Sequence, residues 1–144
     1  MQKLSRYALV FLIFLNGYVS LSLELSVLRQ LSFYVGSSAV ITSIIMAIFL
    51  GFMSLGYFVG ESQRVNESKI RKILSASFVF IAFLSVFAAS FPLITQYFFW
   101  LYDGGVTSGA LQTFIYSFIF LSAGPFLFGF NTTLLSRQLH SYGK

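Results

Sequence analysis

Four long stretches of this chain are almost without charge, and that feature decides the solvent before anything else. A helix rises about 1.5 Å per residue, so crossing a bilayer's hydrocarbon takes roughly 20 apolar residues. The stretches at about 7–28, 38–60, 73–94 and 110–135 all meet that length, and Glu24 is the one charged residue inside them. The apolarity within each is continuous rather than alternating, which predicts helices and not the strands of an outer-membrane barrel. The fold class expected is an all-α membrane protein, a single four-helix transmembrane bundle with a cytoplasmic loop at about 61–72.

Composition closes off the soluble alternative. Of 144 residues, 57% are hydrophobic and 9% charged, whereas soluble chains carry about 25% charged residues. The surface of a water-soluble domain cannot be built from this material. Lys3 and Arg6 before the first run resemble the charged region of a signal peptide. The run is too long for one, though, and no small-residue cleavage site follows, so it is read as a retained helix.

The net charge of +5 is read as topology rather than as a nucleic-acid surface. Lys3, Arg6, Arg64, Lys69, Arg71, Lys72, Arg137 and Lys144 all fall on one side if the chain threads the bilayer four times; Arg29 alone falls on the other. Basic residues favour the cytoplasmic side, so both termini are expected there, in a bacterial inner membrane. The aromatic group Tyr97, Phe98, Phe99, Trp100 and Tyr102 then belongs to the outer interface, where amphipathic rings settle. On this topology the sequons at Asn66 and Asn131 lie in the cytoplasmic loop and at the inner end of a helix, where glycosylation is not expected.

Glu24 needs a reason to be in lipid. It stands about 26 Å along a helix that starts at Tyr7, near the outer boundary. Asn16, Ser20 and Glu24 are spaced by four and form a polar stripe. Such a stripe either fixes helix packing through hydrogen bonds or supplies a protonatable, cation-binding carboxylate. Arg29 is about 140° around the same helix from Glu24. Its options are an outer ion pair with Asp103 or snorkelling to lipid phosphate.

Small residues mark the second run. Gly56 and Gly60 form a GxxxG pattern, with Gly51 and Ser54 preceding it. Such positions let helix backbones approach closely, within one chain or across a homodimer. In the fourth run Pro125 lacks a backbone donor and opposes the carbonyl of Leu121, so a kink is expected. Structural kinks are common, and broken helices also line transporter sites. The basic loop at 61–72 suits anionic lipid heads or a cytoplasmic partner. His140 has no ligand set around it. With no cysteine, four acids and one histidine, the chain offers no catalytic set, no metal site and no cofactor-binding domain.

Longer patterns suggest a relationship. Ser22-Leu23-Glu24-Leu25-Ser26-Val27-Leu28-Arg29-Gln30-Leu31, followed by Gly36-Ser37-Ser38, resembles the first-helix signature of membrane-bound spermidine-synthase-like proteins. The run from Phe49 to Gly56 is similar to that family's second helix, and the segment from Gly124 to Leu139 to the end of its fourth. The resemblance implies the membrane half of such a protein. The family's cytoplasmic aminopropyltransferase domain has no counterpart here, so its catalysis is not carried over; Glu24, Arg29 and Gly36 transfer only as motif positions. The expected function is a non-catalytic membrane module that anchors or regulates a cytoplasmic, spermidine-synthase-like partner. The alternative is a small proton-coupled transporter for organic cations such as polyamines, with Glu24 as the titrating group. Against it, dual-topology transporters of four helices have nearly balanced charge, and this chain is strongly biased. The basic loop also resembles that of major-facilitator transporters.

Overall fold

The computed structural model describes residues 6–36, 38–62, 67–88 and 90–141. Lys3, Ser37, Arg64, Asn66 and Lys144 lie outside them. The described chain is all-helical: α1 Arg6–Val35, α2 Ala39–Ser62, α3 Glu67–Ala88, α4 Phe91–Asp103, α5 Gly109–Tyr116, a π-helical turn Ser117–Leu121, and α6 Ala123–Ser141.

α1 and α2 are each long and apolar enough to cross a membrane. Two further pairs meet the same test if each bent pair counts as one span: α3 with α4, which turn by 64°, and α5 with α6, which turn by 44°. Among the described residues there are thus two to four candidate membrane-crossing segments.

The side chains are arranged inside out relative to a soluble bundle. Asn16, Ser20, Thr113, Ser117 and Asn131 are buried, while Phe11, Phe14, Phe58, Phe83 and Trp100 face outward. In water that distribution would expose a large apolar surface and enclose polar groups, both unfavourable. In lipid it is the stable arrangement, because polar groups must find partners inside.

Helix ends follow local chemistry. Gly36 has φ +84°, and its amide bonds to the carbonyl of Ser32 at 3.0 Å. A left-handed residue at this position ends α1, and glycine adopts it without a Cβ penalty. Ser38 then caps α2 by accepting from the amide of Ile41 at 3.2 Å. The Gly36 to Ser38 element of the sequence motif is therefore a helix stop followed by a helix start.

The third apolar run is divided. α3 ends at Ala88 and α4 begins at Phe91, with Pro92 in its first turn. Proline suits a helix start because the donor it lacks would have no intrahelical partner there. α4 then runs on to Asp103. Gly105, with φ +82°, makes the turn toward α5, and Gln112 donates to the carbonyl of Val106 at 2.5 Å to hold that turn.

Pro125 explains the break in the last span. The π-helical turn ends at Leu121, the residue whose carbonyl Pro125 has no N–H to reach. The helical ladder resumes when Phe126 donates to Ser122 at 3.2 Å. A widened turn next to a proline is a recognised way of bending a helix.

α6 lies at the centre, packed most extensively against α2 and then against α1 and α3. The α2–α6 contact depends on three glycines. A Cβ on Gly56 would overlap the carbonyl of Phe126, one on Gly60 would press on Thr133, and one on Gly129 would overlap the carbonyl of Met53. Gly51 has open space around it and takes no part. Its place in the small-residue series was expected to serve packing, but it lies on the opposite face of α2 from Gly56.

Two clusters form the core. One joins Leu9, Ile70, Leu74, Phe130, Leu134 and Leu135. It gathers the start of α1, the start of α3 and the end of α6. The other contains Leu23, Val27, Leu31, Ile45, Phe49, Phe98 and Tyr116, toward the opposite end. There Tyr34 stacks on Phe98 with centroids 5.1 Å apart and shares a short hydrogen bond with Thr95.

Candidate functional site

The polar stripe of α1 meets α6. Asn16 is 2% exposed; its Nδ2 donates to the carbonyl of Phe128 at 3.0 Å and to Thr132 Oγ1 at 2.9 Å. Thr132 in turn donates to that same carbonyl at 2.8 Å. An amide, a hydroxyl and a backbone carbonyl thus form one closed interhelical knot. Ser20, one turn further, is also buried.

Glu24 does not follow them inward. A spacing of four advances about 40° around a helix at each step, so Glu24 is rotated about 80° from Asn16. The buried line of α1 continues instead through Leu23, Val27 and Leu31. Leu23 stands where a Cβ on Gly124 would touch it, at 3.4 Å. Glu24 is left half-buried at the edge of the seam, and among the described residues it forms no hydrogen bond or ion pair. Asn16 and Ser20 are therefore brought together with α6, and Glu24 is not.

Arg29 and Asp103 do not pair. Both side chains are exposed, on the outward face of α1 and at the end of α4. Arg29 is about 35 Å along α1 from Arg6, a separation greater than the roughly 30 Å thickness of a bilayer's hydrocarbon. At the other end Arg137 Nε lies 3.7 Å from Glu61 Oε2, and the guanidinium also donates to the backbone carbonyl of Glu61. It ties the end of α2 to the end of α6, next to the Leu9–Ile70–Leu135 cluster. The helix ends carrying Arg6, Glu61, Lys69, Arg71, Lys72 and Arg137 are consequently neighbours.

In the sequence Asn131 stands out only as part of a sequon. It is fully buried, and among the described residues neither amide atom has a hydrogen-bond partner. Thr113 and Ser117, fully buried around the start of the π-helical turn, have hydroxyl oxygens in the same condition. An asparagine inside an apolar helix is the available signal for Asn131, because polar residues at that depth need explaining.

Two cavities bear on ligand binding, and neither is lined by Glu24, Asn16 or Ser20. One, of about 130 Å³, is walled by Leu93, Ile94, Tyr97, Tyr116 and Phe120; it is below the roughly 300–1,000 Å³ that small-molecule sites occupy. The other is an open trough on α3. Among the described residues no three His, Asp or Glu side chains converge as a metal site would require. The chain matches no protein-family model, no curated protein and no solved structure.

Proposed function

We propose that this chain is a four-span membrane module, with both termini cytoplasmic, resident in a bacterial inner membrane. It resembles the membrane half of spermidine-synthase-like proteins and anchors or regulates a separate cytoplasmic protein of that kind. The observation that carries this reading is the collection of charged helix ends at one pole. Arg6, Lys69, Arg71, Lys72 and Arg137 come together through the Leu9–Ile70–Leu135 cluster, and the Glu61–Arg137 contact fixes two of the helix ends. A pole of that charge has a cytoplasmic bias and presents a cationic face to an acidic partner surface. The interior favours a non-transporting role. Asn16 is engaged in helix packing, and neither cavity described is walled by Glu24.

Co-purification in mild detergent tests the proposal. A soluble partner is expected to come down with the parent protein and to be lost on charge reversal at Lys69. If the same soluble proteins come down with parent and variant, or none with either, the anchoring role fails.

One observation favours the second reading, transport of organic cations. The bent α5–α6 span combines a π-helical turn, a proline and buried polar groups without partners, and such breaks accompany moving parts in transporters. Proteoliposome uptake of a polyamine driven by a proton gradient would support it, provided Glu24→Gln abolishes the flux. Flux unaltered in the variant, or absent from the parent, removes it.

A further inference from the structure

α3 carries an outward trough of about 660 Å³ lined by Lys72, Ser75, Ala76, Val79, Phe80 and Phe83. The trough is shallow and wide open, walled by one helix alone, so it suits a molecule of the surrounding lipid rather than an enclosed ligand. All six residues are exposed. They recur at helical spacing along one face, with short side chains at Ser75 and Ala76 forming the floor. The charge is confined to one end, where Lys72 stands beside Lys69 and Arg71 at the start of the helix. From Lys72 to Phe83 the trough runs about 16 Å, close to half of the roughly 30 Å hydrocarbon thickness. A cation at the water-facing end and one leaflet's depth of apolar wall match a single kind of molecule end to end.

We propose that this trough holds an anionic phospholipid of the same leaflet as the basic pole. Its phosphate sits on the Lys72 ammonium, and one acyl chain lies over Ala76 between Val79, Phe80 and Phe83. The charge complementarity selects the headgroup, and the trough's length selects a chain that ends near the bilayer midplane. A second copy of this chain would have to place a counter-charge opposite Lys72 and a ridge along the trough. A phospholipid supplies both in one molecule.

Native mass spectrometry of the detergent-solubilised protein, titrated with phosphatidylglycerol or phosphatidylcholine, tests this without a membrane surface potential. Phosphatidylglycerol is expected to bind the parent in preference to phosphatidylcholine. Lys72→Gln is expected to weaken phosphatidylglycerol about fivefold, the equivalent of about 1 kcal/mol per basic residue at a lipid surface. Ala76→Trp, which fills the floor without changing charge, is expected to remove retention of both lipids. Both positions are exposed, so melting temperatures in detergent should match the parent's. Equal binding of the two lipids by the parent, or full phosphatidylglycerol retention by Ala76→Trp, overturns the proposal.

Discussion

Asn16 and Asn131 are both enclosed amides in apolar helices, and among the described residues neither Oδ1 has a partner; they differ in that Asn16 Nδ2 is bonded and Asn131 Nδ2 is not. Asn16 donates to two acceptors on α6. Asn131 makes no bond at either amide atom among the described residues. Polar contacts between membrane helices contribute about 0.6 kcal/mol on average and up to about 1.7. Asn16→Leu is therefore expected to lower the unfolding free energy in a detergent titration by about 1 kcal/mol; Thr132 keeps its own bond to Phe128 and limits the loss. Asn131→Leu, similar in shape, removes a desolvated amide and is expected to raise stability by about 1 kcal/mol or more. A loss of stability in Asn131→Leu as large as that in Asn16→Leu would mean that the Asn131 amide is bonded after all. Glu24→Gln, at a site without protein partners, is expected to leave the unfolding midpoint where it was.

At the scale of elements, the glycines of α2 and α6 and the break at Pro125 set the shape of the bundle. Gly56 faces backbone on α6, so any side chain there must push two helices apart; overpacking of this kind costs about 1–3 kcal/mol. Gly56→Leu should destabilise the fold by that amount in the same titration, and Gly51→Leu, in open space, should not. Equal effects at the two positions would refute the α2–α6 contact. Pro125→Ala restores the donor that Leu121 lacks, and should reduce the 44° turn. Spin labels at Leu111 and Ser136, both exposed, should then move apart by about 3 Å on full straightening. Much at this scale was legible in the sequence. The long apolar runs marked α1 and α2 and Pro125 marked the bend, but α1 continues to Val35, past the expected end near Leu28, and Gly36 and Ser38 read only as motif positions. The division of the third run was not legible. A proline near the end of an apolar stretch reads as a stop from one side and as a first-turn residue from the other, and only the packing of Phe98 and Tyr97 against Tyr34 and Tyr116 selects the second. The rotation of Glu24 away from the seam was hidden for a similar reason. A spacing of four looks like one face, but it drifts, and the drift matters only once α6 is known to be the neighbour.

For the whole molecule, the decisive quantity is where charge ends up relative to lipid. The fold gathers the cationic ends of α1, α3 and α6 at one pole and aromatic rings at the other, with phenylalanine facing outward along the length between. The proposed membrane module, the partner it docks and the lipid held on α3 all depend on that pole lying in the cytoplasmic leaflet. Because the chain has no cysteine, single substitutions report on sidedness without background. Lys69→Cys, Thr107→Cys and His140→Cys, treated in intact cells with a membrane-impermeant maleimide, provide the direct measurement. Thr107→Cys should react at once, and Lys69→Cys and His140→Cys only after the membrane is opened. Labelling of either of the latter two in intact cells, or protection of Thr107→Cys, would contradict the account.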